Sequence, residues 1–233
     1  MREWTNSSLG MYINDGALFT CSHSWRKIKQ TLRDCYSTCD KWLTQAGLNI
    51  EPDKTELIFF CRRGEQTMPP HYIHLPLPST QTYYCVPAAN TLCYLGFFFD
   101  AHLSWPYHVD VMCNRAYASI KALKLLGNLV RGLDHASWRL TFNAICLPVL
   151  TYSCQLWFHG KQVTLVKKLQ IVQNKAVKII SGTFCTTPCK PLHQLLSILP
   201  MDLQLTKLTQ NMALTLYQVL SESQLLTRLG GDW

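Results

Sequence analysis

Apolar positions along the chain change their period twice. From Gly10 to Cys21 they fall in two short runs on either side of Asn14-Asp15-Gly16, which predicts a β-hairpin over 10–14 and 17–21 closed by a tight turn. From Ser24 the spacing becomes helical, through Trp25, Ile28, Leu32, Cys35, Cys39 and Trp42, and Gly47 supplies the stop. Pro52-Asp53 marks a turn, after which TELIFFC (55–61) reads as a buried strand. A proline-rich loop follows, through Met68-Pro69-Pro70 and Leu75-Pro76-Leu77-Pro78. QTYYCV and TLCYLGFFF then resume as strands, separated by a turn around 87–90.

After Asp100 the pattern is helical almost throughout. Ser104 predicts the cap of a helix reaching about Gly127, with Val109, Met112, Ala116, Ile120 and Leu123 facing inward. Asp134 caps the next, which Pro148 should kink or end. A third runs from Lys161 to Ser181 and stops at Gly182, its inner stripe formed by Leu165, Leu169, Val172, Ala176 and Ile179. Two shorter helices are expected near 188–198 and 201–220, and no internal repeat is evident. The fold class is therefore α+β, divided into 1–61, a proline-rich β connection over 62–100, and a helical part over 101–233.

Composition adds a surface property. The chain has 233 residues, of which 48% are hydrophobic and 15% charged; about a quarter charged is usual for a soluble domain, so part of the surface is expected to be covered by a partner. No run stays apolar for the ~20 residues of a membrane helix, and Asn6-Ser7-Ser8 interrupts any secretory signal, which makes an intracellular protein the expectation. The eleven cysteines are scattered, several among apolar neighbours such as Cys93 and Cys146, and read as reduced packing residues. Cys35 with Cys39, and Cys185 with Cys189 and His193, do not complete a four-ligand zinc set.

The formal charge of +8 is unevenly placed. Eight of fourteen acidic residues precede residue 70, whereas Val111 to Met201 holds eleven Lys or Arg against Asp134 alone. Lys121 and Lys124 lie on one predicted helix, and Lys167, Lys168, Lys175 and Lys178 gather on one arc of another. An isolated lysine is ordinarily a solvated surface residue, but a segment this lopsided suits a phosphate backbone. Trp105, Trp138 and Trp157 could stack on bases, although their apolar spacing is that of core residues.

MYINDGALF, WLTQAGLNIEPDKTELIFF and YLGFFFDAHLSWPYHV, followed by LPVLTYSCQLWFHG and VKKLQIVQNKAVKIISGTFCTTPCKPL, resemble in order and spacing the reverse transcriptases of LINE-type, non-LTR retrotransposons. The resemblance runs from about Gly10 to the end of the chain. It implies a partial polymerase palm followed by a thumb-like helical region. It also implies RNA-templated DNA synthesis with Mg²⁺, and a template–primer duplex as partner. Two metal ions ~3.5–4 Å apart need bridging carboxylates, and the family's hairpin reads Tyr-x-Asp-Asp. Here Tyr12 and Asp15 match, Asp15 being the metal ligand retained, but the first aspartate falls on Asn14, an amide and a weak ligand. Gly16 is expected to preserve the turn. Lys54 in PDKTE matches the lysine that the family places near the departing pyrophosphate; alone it reads as a turn lysine paired with Asp53 or Glu56. The family's fingers, two earlier palm motifs and endonuclease have no counterpart in these residues, so the chain is expected to be an inactive part of such a polymerase. Other readings are a non-catalytic nucleic-acid-binding module, a relic without a selected role, and a chain that self-associates through an unfinished sheet edge.

Overall fold

A computed structural model describes residues 7–61, 70–76, 82–124 and 134–219, and these fall into two compact units, Met1–Trp105 and Pro106–Trp233. The architecture is α+β, and among the described residues the strands pair as three separate antiparallel two-stranded sheets. Met68, Pro69, Leu77, Pro78, Gly127 and Arg131 lie outside the described residues.

In the first unit β1 (Ser7–Tyr12) pairs with β2 (Asp15–Thr20), in the register Tyr12 opposite Asp15 and Leu9 opposite Leu18. The turn is therefore Ile13-Asn14, one residue earlier than the sequence suggests. Ile13 carries a φ of 56°. Positive φ at the first central position belongs to a type II′ turn, where glycine is usual. Gly16 is a strand residue opposite Met11 and does not make the turn.

The predicted helix is α1 (Trp25–Gln45), and its end is a Schellman motif. Gly47 N–H donates to Thr44 O at 3.0 Å and Leu48 N–H to Leu43 O at 2.9 Å, with Gly47 at a φ of 76°. A Cβ at Gly47 would meet nothing within 4 Å, so only the backbone opposes a side chain there. Gly47→Ala is expected to cost about 1 kcal/mol in urea unfolding, the usual penalty of the left-handed region.

The proline-flanked loop contains a strand. β3 (Tyr72–Pro76) pairs with β4 (Tyr83–Pro87), with its prolines confined to strand ends as sheet pairing requires. Ile73, Leu75 and Val86 join Tyr36 of α1 in the core of this unit, with Leu18, Leu32, Ile50, Leu57 and Tyr84 packed around them. Trp42, placed on the inner face by spacing, is 55% exposed. TELIFFC is not a ladder strand: it bridges once, Leu57 to Ala88, and is tied again where Cys61 N–H donates to Ala101 O at 3.1 Å. TLCYLGFFF is not one strand but a hairpin, β5 (Thr91–Tyr94) with β6 (Phe97–Asp100), turning on Leu95 and Gly96 at φ 51° and 76°. Cys93 on this hairpin is exposed, unlike the buried thiol expected.

Asp100 ends β6 and gathers the backbone that follows. Its carboxylate accepts from His102 N–H at 3.1 Å, Ser104 N–H at 3.0 Å, Ser104 Oγ at 3.0 Å and Trp105 N–H at 2.7 Å. Burial works against the charged form, but these bonds outweigh it and hold the carboxyl below the usual range.

The second unit opens with α2 (Pro106–Lys124), proline taking a first-turn position that needs no N–H. Ser104 is two residues outside it, its hydroxyl given to Asp100. Val109, Met112, Ala116, Ile120 and Leu123 are all buried, as their spacing predicts. Asp134 caps α3 (His135–Thr141) by accepting from Ser137 N–H at 3.2 Å. Before Pro148 the chain widens into a π segment, Phe142–Cys146, and re-enters α4 (Leu147–Leu150) and α5 (Cys154–Trp157). Pro148 thus lies inside a short helix whose preceding turn has been altered to admit it.

The third predicted helix is α6 (Val163–Ile180), followed by α7 (Cys189–Leu195) and α8 (Met201–Val219). Leu165, Leu169, Val172 and Ala176 are buried, joined by Gln173, Val177 and Ile180; Ile179 is half-buried. Trp138 and Trp157 are core residues, and in the first unit Trp105 packs on Phe97, with ring centroids 5.4 Å apart. Burial pushes the Cys146 and Cys154 thiols up to about 11, so both stay protonated at neutral pH.

Candidate functional site

The hairpin turn places Asn14 at its tip and Asp15 as the first strand residue, both exposed. Antiparallel register puts Tyr12 beside Asp15 on one face. Among the described residues no three of His, Cys, Asp and Glu gather where a metal could sit. One carboxylate beside an amide does not supply the bridging oxygens that a pair of Mg²⁺ ions requires, so the donor set here does not fit the ions that the resemblance implies. Lys54 ends a single 3₁₀ turn, Pro52–Lys54, and is exposed; it pairs with neither Asp53 nor Glu56 among the described residues. The adjacent Thr55 hydroxyl accepts from Tyr84 OH at 3.3 Å, which ties this turn to the β3–β4 core.

The pairs of possible zinc ligands are placed differently. His193 is buried, with Nε2 2.9 Å from Asn174 Oδ1 and Nδ1 3.2 Å from Ile198 O. Both ring nitrogens are used inside a polar cluster. Gln170 Oε1 accepts there from Met201 N–H at 2.7 Å, and Gln173 Nε2 donates to Leu199 O at 2.9 Å. Nothing in the sequence pattern signals this cluster, because its amide residues lie at ordinary helical positions.

The six candidate lysines do not behave alike. Lys168 Nζ donates to Asp110 at 2.6 Å, a counter-charge just outside the acid-poor stretch. Lys178 donates to the carbonyl of Cys185. Lys167 is exposed, and the side chain of Lys124 lies outside the described residues. Lys121 and Lys175 converge from α2 and α6 on the ring of Tyr117, each ammonium 4.7 Å from the ring centroid. Tyr117 is not among the residues that charge and motif single out, although its position one turn before Lys121 is the usual spacing for such a pair. His108 is a second residue without a sequence signal. It is buried, and burial together with the Arg115 charge holds its imidazole below the usual value, against a raising contribution from Tyr152 O at 3.2 Å.

Two Drosophila melanogaster proteins are similar to this chain. One is a probable RNA-directed DNA polymerase from transposon X-element, 24% identical over 176 residues, which is 76% of this chain and 18% of that protein. The other is a probable RNA-directed DNA polymerase from transposon BS, 22% identical over 209 residues, 90% of this chain and 22% of that protein. The chain spans about a fifth of the length of these relatives. No protein-family model matches it, and no solved structure does. No helix among the described residues is long and apolar enough to cross a membrane.

Proposed function

We propose, from this relationship to transposon RNA-directed DNA polymerases of LINE type, that the helical unit grips a nucleic-acid duplex and that the hairpin no longer carries polymerisation. The first unit corresponds in this reading to the end of a palm, and Pro106–Trp233 to a thumb-like region. The observation that carries the reading is the basic side of α2 and α6. Lys121, Lys167 and Lys175 are exposed there and make no ion pair among the described residues. Such ammonium groups suit phosphates, whose condensed counterions are released on binding.

Titrating the chain with a short RNA–DNA hybrid at several salt concentrations tests this. Neutralising three phosphates gives a log–log slope of about −3, at ~0.9 per phosphate. A flat dependence, or no binding at low salt, refutes duplex binding. In this reading Mg²⁺, which the resemblance implies, finds too few carboxylates at the hairpin among the described residues, and Lys54 serves no assembled site there.

A further inference from the structure

We infer that Tyr117, Lys121 and Lys175 form one built contact point for a phosphodiester backbone, with Tyr117 as the positioning residue that aims the two ammonium groups. This rests on the duplex-binding reading above and gives it a location.

Helices α2 and α6 lie side by side. Asp110 on α2 meets Lys168 on α6. Seven residues further along each helix, Tyr117 meets Lys175. The two helices therefore run in the same direction here, and the same juxtaposition recurs after two turns. At the first position the lysine faces a carboxylate and is neutralised. At the second it faces an aromatic ring, which orients an ammonium without cancelling its charge.

A second cation is then added. Lys121, one turn beyond Tyr117, reaches back over the same ring as helical side chains do. The two ammonium groups sit no further apart than twice their distance from the centroid. Neither makes a hydrogen bond or an ion pair among the described residues. Two exposed ammonium groups at this range repel each other only weakly in water, so both charges are kept at little cost and stay available to an anion. Two other lysines of the same face show how the fold disposes of an unwanted ammonium: Lys168 takes a carboxylate and Lys178 a carbonyl. The Tyr117 point instead keeps both its positive charges and six N–H donors. Tyr117 is itself half-buried, and its ring faces one lysine from its own helix and one from the neighbouring helix. A strand of phosphates presents successive anions at a spacing two such groups can follow.

The experiment uses the full chain, a short RNA–DNA hybrid and a salt series, with circular dichroism confirming the fold of each variant. Lys121→Gln with Lys175→Gln is expected to weaken binding at least about tenfold at low salt and to reduce the salt slope by about 2, one for each phosphate that is no longer neutralised. Lys190→Gln, an exposed lysine on α7, serves as the control and should change the slope little. Tyr117→Leu keeps both charges but is expected to weaken binding several-fold, and Tyr117→Phe, which keeps the ring, to restore it. If the lysine pair changes affinity no more than Lys190→Gln does per charge, binding follows net charge and the contact point is refuted. If Phe and Leu at 117 behave alike, the positioning role is refuted even with the lysines upheld. Absence of binding by the unaltered chain instead overturns the duplex reading itself, a different outcome from either.

Discussion

Primer extension by the purified chain is expected to be undetectable with either Mg²⁺ or Mn²⁺, on RNA or DNA template. The reason is local electrostatics. A pair of divalent ions a few ångströms apart is held by carboxylates that offset four positive charges, and the ions then activate the nucleophile and steady the leaving oxygens. The turn offers Asp15, with Asn14 contributing at most a neutral oxygen. Loss of one member of a catalytic unit already costs several orders of magnitude, and further losses add little because the members act together. Asn14→Asp is therefore expected to restore nothing, since two neighbouring turn carboxylates alone do not hold the ion pair. Template-dependent product from that variant, absent in a heat-inactivated control, would show that another carboxylate completes the set.

Asp100→Ala is expected to destabilise the first unit by about 3 kcal/mol in urea unfolding. Hydrogen bonds to an ionised acceptor are worth ~1.5–3 kcal/mol each, and the four made here share one carboxylate, so they do not add in full. Their loss strands the N–H groups of Ser104 and Trp105 in a partly buried bend. That bend holds Leu103 and Trp105 at φ 50° and 71°, conformations that bulky residues adopt only when something compensates. The pH dependence has a defined sign. The folded state holds the Asp100 carboxyl below its ordinary 3.8, so it binds the proton less tightly than the unfolded chain does. Its stabilisation is full above that ordinary value and is lost as pH falls through the lower, folded one. Asp100→Asn should flatten that acid limb, since an amide presents one acceptor and does not titrate there. An unfolding free energy that responds to acid equally in both proteins would assign the acid limb elsewhere.

The helical part of the fold is largely legible in the sequence. The stripe on α2 from Val109 to Leu123 is buried at every position named, and Asp134 caps as its residue type suggests. The β part is less so, for identifiable reasons. Tyr72, Ile73, His74 and Leu75 alternate outward and inward with period two, but the prolines around them announce a loop. Leu95-Gly96 takes positive φ at both residues, so an apolar run that reads as one strand folds back on itself. At the hairpin turn the register differs by one because Ile13 occupies a conformation that a β-branched residue rarely takes, which residue preference alone does not indicate. Charge lopsidedness is enough to find the lysines. Their division into neutralised and unpaired groups depends on Asp110 and Tyr117, which are distant in sequence from the α6 lysines they meet.

The widened segment before Pro148 has a consequence for the evolution of this chain. Trp138, Phe142, Cys146 and Leu150 recur every fourth position from α3 through the widened segment to α4, and all are buried. On a regular helix each such step would drift about 40° around the axis, and by the fourth residue the stripe would have turned about 120° from where it began. A turn closed by longer-reaching hydrogen bonds absorbs the excess residue. Deleting one position between 142 and 146 would turn the α4 side chains by about 100° about the axis, up to the break before α5. Single-residue deletions should therefore be purged from this stretch even where substitutions drift freely. The reading frame of the core is kept here by count, not by letter.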